Sequence, residues 1–247
     1  MSKAAVVIFA RTPRPGRVKT RLIPPLTPRQ AQALHVACLQ TTAALIASLP
    51  RTIHKYLYFT GSPTTARAQA RKLRLSATVA IRTQRGADLG ARLEGMFSEL
   101  FTTGYEHVVV LGSDSPTLPR ACLLETFAAL RRVDVVIGPT EDGGYYLLGC
   151  RCLASHHGDA KPVPEIFRGI SWGTSKTFAR TLARLARARI RPAVPTPSKK
   201  MPTRRLAYRI LPRWYDVDRP RDLLRLAHEL ARSRKPHLAP LLSYFTR

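Results

Sequence analysis

The segment Ala4-Ala5-Val6-Val7-Ile8-Phe9-Ala10 carries no polar side chain on either face. An extended run of this kind is stable only with both faces covered, as in a sheet with helices above and below. Mostly apolar runs return at residues 107–111 and 133–138. Between these runs lie stretches with the three-to-four-residue apolar period of helices. Strands alternating with helices predict an α/β fold: a three-layer, mainly parallel sheet flanked by helices.

Local signals place the elements. Thr27-Pro28-Arg29-Gln30 predicts a helix start, with Thr27 as N-cap, Pro28 in the first turn and Gln30 closing a capping box. That helix is expected to run to about residue 49 and to stop at Pro50. Further strands are expected at 53–60, 78–82 and 145–149, the last entered through a tight Asp-Gly-Gly turn. Further helices are expected at 64–73, 88–101, 120–131, 171–189 and 220–231. Between 191 and 213 the pattern breaks into a basic, proline-rich excursion. One domain over residues 1–233 is expected, with a short amphipathic tail at 234–247.

Hydrophobic residues make up 45% and charged residues 23% of the 247, so an ordinary core is available without disulfides. No apolar run approaches the roughly 18 to 20 residues of a membrane span, and the run after Lys3 is too short for a signal peptide. A cytoplasmic protein is expected. Cys38, Cys122, Cys150 and Cys152 are too few for a disulfide scaffold. Cys150 and Cys152, even with His156 and His157 nearby, lack the second pair of a zinc site, so reduced thiols are expected.

Lysine and arginine number 41 against 15 acids, a formal charge of +26. Such an excess draws nucleic acid, anionic lipid or phosphorylated small molecules. Interleaved aromatics that stack bases are scarce in arginine-rich stretches such as 178–189. Nucleic acid is therefore not expected as the primary partner, while contact with an anionic surface stays open.

In open α/β sheets, ligands bind beyond the carboxyl ends of the strands. After the first strand come Arg11, Arg14, Arg17, Lys19 and Arg21, a candidate phosphate clamp. It is not a P-loop, because Gly16-Arg17-Val18-Lys19-Thr20 lacks the first glycine of that motif. After the central strand comes Gly112-Ser113-Asp114-Ser115-Pro116, and after the next Glu141-Asp142-Gly143-Gly144. Asp216-Val217-Asp218 adds a further acidic element, of which only one carboxylate is expected to point into the site. Carboxylates at strand ends facing a basic loop suit a divalent cation bridging two phosphates.

Six segments occur in order: FARTPRPGRVKTRL (9–22), QRGADLGARL (84–93), VVVLGSDSPTLP (108–119), VIGPTEDGGYYLLG (136–149), ISWGT (170–174) and YDVDRPRDL (215–223). Together they resemble a family of small bacterial glycosyltransferase-A-like proteins described as nucleotide-diphospho-sugar transferases. The resemblance covers about residues 4 to 230. It implies the fold of those transferases and kinship with nucleotidylyltransferases acting on molybdopterin and on phospholactate. It also implies that Asp114 and Asp218 hold Mg²⁺ or Mn²⁺. Arg11, Lys19 and Arg21 match its phosphate loop, and Gln84, Gly86, Asp88 and Leu89 match the segment against the nucleotide. Asp142, Gly143, Gly144, Tyr145 and Trp172 would line the acceptor or sugar pocket, with Asp142 or Glu141 as general base.

A metal-dependent transferase using a nucleotide-activated donor is the expected function, most directly glycosyl transfer from a nucleotide-diphosphate sugar. The alternative is nucleotidylyl transfer from a nucleoside triphosphate to a phosphorylated acceptor, releasing pyrophosphate. The first loop lacks the Leu-Ala-Ala-Gly start of sugar nucleotidylyltransferases, which favours the former. A polyanion-binding protein without catalysis is the third possibility.

Overall fold

Thr27 accepts a hydrogen bond from the Gln30 amide while the Gln30 side chain accepts from the Thr27 amide, closing the capping box that the sequence encodes. The helix so started, α1 (Pro28–Ala47), ends before Pro50, which cannot extend it. The protein is described by a computed structural model covering residues 3–153, 166–190, 204–233 and 235–245. His156, His157 and residues 191–203 of the basic excursion lie outside the described residues.

Before α1 come β1 (Ala4–Ala10) and a short 3-10 turn at Thr20–Leu22. After it follow β2 (Ile53–Phe59), α2 (Pro63–Lys72), β3 (Val79–Thr83), α3 (Leu89–Thr102), β4 (His107–Gly112), α4 (Arg120–Leu130), β5 (Val135–Pro139) and β6 (Tyr145–Arg151). The chain continues through α5 (Thr177–Arg187), β7 (Arg189–Ile190), β8 (Arg204–Arg205), β9 (Tyr208–Ile210), α6 (Pro220–Arg232) and α7 (Ala239–Phe245). Seven strands form one mixed sheet in the order β3-β2-β1-β4-β6-β5-β9, flanked by helices. β2–β3 and β5–β9 are parallel pairs, and β5–β6 is an antiparallel hairpin. The apolar character of β1 has its cause here, since its residues are buried apart from the half-buried Phe9.

Two compact units make up the chain. The first comprises Met1–Ala5, Arg85–Val109 and Leu123–Arg213, and the second Val6–Gln84, Val110–Cys122 and Trp214–Arg247. In the first, the stretch expected to be irregular holds two short strands. β8 pairs with β7, and β9 extends the sheet beside β5 with Val135 opposite Tyr208. The buried Asp134 carboxylate explains the order, because it binds Arg204, Arg151 and the Ala207 amide. The helix expected from Ser171 begins only at Thr177, whose hydroxyl donates back to the Ser171 carbonyl at 2.9 Å and holds residues 171–176 in turns.

In the second unit, α7 packs on α1 and α6, so the C-terminal segment completes a core. That core joins Leu22, Leu34 and Cys38 to Tyr215, Val217, Leu226 and Leu241. Burying an apolar side chain of this size contributes roughly 1.5–3 kcal/mol. Among the described residues no helix is long and apolar enough to cross a membrane. All four cysteines are free thiols, Cys38 and Cys150 being buried.

Candidate active site

Tyr215 and Val217 point into the core of the second unit, and the alternation of extended chain turns Asp216 and Asp218 together to the opposite face. This corrects the expectation that only one of the pair reaches the site. Asp216 meets the turn after β4 directly, and Asp218 is joined to Asp114 of that turn through Lys19. The Val217 amide donates to the Asp114 carbonyl at 2.8 Å, and the Ser115 hydroxyl donates to Asp216 Oδ1. Thr117 donates to the Tyr215 hydroxyl at 3.3 Å, and that hydroxyl donates to Glu229 on α6 at 2.8 Å. Residues 114–117 and 215–217 are thus matched rung by rung, which is how carboxylates a hundred residues apart in sequence come together.

Lys19 closes the cluster. Its ammonium forms an ion pair with Asp114 Oδ1, lies 3.4 Å from Asp218 Oδ1 and donates to the Val217 carbonyl at 2.7 Å. The side chain is 2% exposed, against 43% for Asp114 and 32% for Asp218. Its backbone sits in the left-handed region at φ 49°, where side chains other than glycine are uncommon. Arg21 adds a second cation, 3.8 Å from Asp218 Oδ2. His35 donates from Nε2 to the Arg11 carbonyl at 3.1 Å and so ties α1 to the start of the loop after β1.

These contacts set the protonation states. Burial would lower the Lys19 pKa, but Asp114 and Asp218 more than reverse it, so the ammonium persists. Burial would raise Asp114, yet Lys19 and His35 hold its carboxyl below the usual range. Asp218 is raised by burial and by the Asp114 charge, against the pull of Lys19 and Arg21. Asp216 is pushed up to about 7 by burial and by the Asp114 charge, opposed by the Ser115 hydroxyl. Burial lowers His35, which favours neutral imidazole. Asp216, Ser115 and His35 were not singled out from the sequence as site residues. The polar residues flanking Asp114 and Val217 were the available signal.

The two carboxylates fit Mg²⁺ or Mn²⁺. Asp114 and Asp218 each keep a solvent-facing portion, and carboxylate oxygen is the donor such hard cations take. Among the described residues no group of three or more His, Cys, Asp and Glu forms an all-protein cage. One or two carboxylates, completed by water and substrate phosphate, are the usual set for Mg²⁺.

The other expected residues have local partners. Gln84 donates to the Tyr58 carbonyl at 2.9 Å and the Ala10 carbonyl at 3.1 Å, fastening the ends of β1 and β2 within the second unit. Arg11 is exposed at the start of the loop. In the first unit, Asp88 caps α3 by accepting from the Ala91 amide at 2.8 Å, and the Gly86 carbonyl accepts from Arg92 at 3.0 Å. Leu89 is exposed. Asp142 Oδ1 accepts from the Thr140 hydroxyl at 2.6 Å and the Gly144 amide at 3.0 Å, an Asx turn that shapes the β5–β6 hairpin. Glu141 beside it is exposed.

The Gly143 backbone runs against Ser175, leaving no room for a side chain, and its carbonyl accepts from the Phe178 amide at 2.8 Å. The close approach that glycine permits is thus to the chain itself. Trp172 meets Tyr145 edge-on, ring centroids 6.2 Å apart, and covers Gly90 on α3.

The fold recurs in solved structures. Across all of this chain and 96% of the other, it superposes with a TM-score of 0.79 and 28% identity on a protein from Desulfovibrio desulfuricans G20, provisionally assigned as a nucleotide-diphospho-sugar transferase. CMP:2-keto-3-deoxy-manno-octonic acid synthetase complexed with CTP shares the fold at a TM-score of 0.51 and 12% identity, over 94% of this chain and 99% of that one. No curated protein matches the sequence. The nucleotide-diphospho-sugar transferase fold implied by the six motifs is the fold of this chain. A family profile matches residues 45–174, more than half of the sequence, and the chain belongs to that family, DUF2064, described as an uncharacterized protein conserved in bacteria.

Proposed function

We propose that this chain is a nucleotide-utilising transferase whose donor diphosphate binds on the solvent-facing side of the cluster formed by the loop at Arg11 to Arg21 and the carboxylates of Asp114 and Asp218. One observation carries the proposal: the buried Lys19 ammonium and Arg21 meet both carboxylates at one strand end. Cations on one side and hard anionic ligands on the other are what a metal-bound diphosphate requires.

Glycosyl transfer from a nucleotide-diphosphate sugar is the first form of the proposal, supported by the full-length likeness to the Desulfovibrio protein. Mg²⁺ or Mn²⁺ held by Asp114 and Asp218 would act as a Lewis acid on the departing diphosphate. The chain's own contribution is placement. Lys19 fixes both carboxylates, and Arg11 and Arg21 neutralise phosphate charge at the mouth of the loop. Gln84, Gly86, Asp88 and Leu89 are the proposed nucleotide side. Asp142 or Glu141, with Gly143, Gly144, Tyr145 and Trp172, is the proposed acceptor side.

Nucleotidylyl transfer is the second form, favoured by the number of exposed arginines on one loop: Arg11, Arg14, Arg17 and Arg21. Incubation of nucleotide sugars and nucleoside triphosphates with Mg²⁺ or Mn²⁺ separates the two. Nucleoside diphosphate release supports the first, pyrophosphate release with a phosphorylated acceptor the second. Loss of either activity in Asp114→Asn and Asp218→Asn is expected. Full activity in both variants would overturn the site.

A further inference from the structure

We propose that Lys19 is a built-in cation of the Asp114–Asp218 site, which keeps free divalent ions weakly bound and makes tight ion binding depend on phosphate. The inference rests on the reading that Asp114 and Asp218 hold the ion. Three oxygen atoms surround the ammonium: Asp114 Oδ1, Asp218 Oδ1 and the Val217 carbonyl. That is a cation's environment, already filled by the chain itself.

The ammonium has little freedom to leave. Its side chain is 2% exposed, and its backbone sits in the left-handed region at φ 49°. A backbone outlier at a candidate site points to a functional constraint. A divalent ion therefore joins Lys19 rather than replacing it. It must bind on the solvent-facing side of carboxylates that one positive charge has already partly neutralised.

The surrounding sequence reinforces this. The first 87 residues hold 15 lysines and arginines and not one aspartate or glutamate. The loop carrying Arg11, Arg14, Arg17, Lys19 and Arg21 thus brings no negative charge of its own. A bare divalent ion meets a site short of anions, whereas an ion carrying phosphate brings the missing charge. The carboxylates, Lys19 and the arginines then each face a partner of opposite sign.

The test measures Mn²⁺ binding by electron paramagnetic resonance, with Mn²⁺ alone and with inorganic pyrophosphate, in the full chain and in Lys19→Met, Lys19→Gln and Asp114→Asn. The unaltered chain is expected to bind Mn²⁺ weakly alone and more tightly with pyrophosphate. Both Lys19 variants are expected to bind Mn²⁺ alone roughly tenfold tighter or more, since a unit charge within a few ångströms is removed. They should also gain less from pyrophosphate. Variants that bind Mn²⁺ alone no tighter than the unaltered chain, while Asp114→Asn loses the ion, overturn the role of Lys19. An Asp114→Asn variant that binds like the unaltered chain overturns the metal assignment itself. Where a Lys19 variant is unfolded without metal, its thermal midpoint is followed against Mn²⁺. A larger rise than in the unaltered chain supports the inference, and an equal or smaller rise overturns it.

Discussion

The Lys19 ammonium donates to the Val217 carbonyl at 2.7 Å, across 198 residues of sequence. This bond, with the Asp114 and Asp218 ion pairs, ties the first loop to the last acidic segment of the second unit. Removing Lys19 leaves two partly exposed carboxylates unpaired and the buried Val217 carbonyl without its donor, a loss of about 1–3 kcal/mol. Lys19→Met is therefore expected to lower the unfolding free energy by about 1–3 kcal/mol in chelator-containing urea titrations. A loss below about 0.5 kcal/mol, typical of exposed substitutions, would show that the cluster does not hold the fold together.

Ser115 and Asp216 form the middle rung between the two acidic segments. Ser115→Ala leaves a largely buried carboxylate without its hydroxyl donor, at a cost of about 1–3 kcal/mol. The thermal midpoint should fall accordingly. Donor turnover should fall with it, because Asp114 and Asp218 are positioned by the same pairing. Unchanged midpoint and turnover would make the rung incidental.

What could be read from the sequence was whatever is local. The capping box of Thr27 and Gln30 spans four residues, and the stop before Pro50 needs no distant partner. Asp114 was visible because it follows a buried strand. The contacts of Lys19 were not, because its partners lie 95 and 199 residues away and a lysine among arginines carries no mark of burial. Asp216 needed the observation that Tyr215 and Val217 face the core, which fixes the phase of the alternation. β9 was hidden because its order comes from Asp134 holding Arg204 and Ala207, a tertiary cause beneath a proline-rich surface pattern.

Gly90 on α3 has no space for a methyl group. A Cβ there would meet the Phe167 carbonyl at 2.8 Å and the Trp172 indole nitrogen at 2.9 Å. Gly90→Ala is expected to displace Trp172 from its edge-on contact with Tyr145, although alanine suits a helix better than glycine. In a Trp214→Phe background Trp172 is the sole tryptophan, so its emission maximum should shift to the red and the thermal midpoint should fall. An unshifted spectrum would mean that the indole is not packed on that glycine.

Asp134 is fully buried and is bound by Arg204, Arg151 and the Ala207 amide. Burial raises its pKa, but these hydrogen bonds outweigh it, and the net shift is downward. A folded-state pKa below the unfolded value of about 3.9 means that the stabilisation is complete above that value and is lost as pH falls through the folded pKa. Between pH 7 and 5 this group should leave the midpoint unchanged, and below about pH 4 the chain should lose stability steeply. Asp134→Asn keeps the shape but removes the charge, so it should lower the midpoint at pH 7 and flatten the acid limb. Parallel melting curves of the two proteins from pH 7 to 3 check this, and identical acid limbs would exclude Asp134 as their cause.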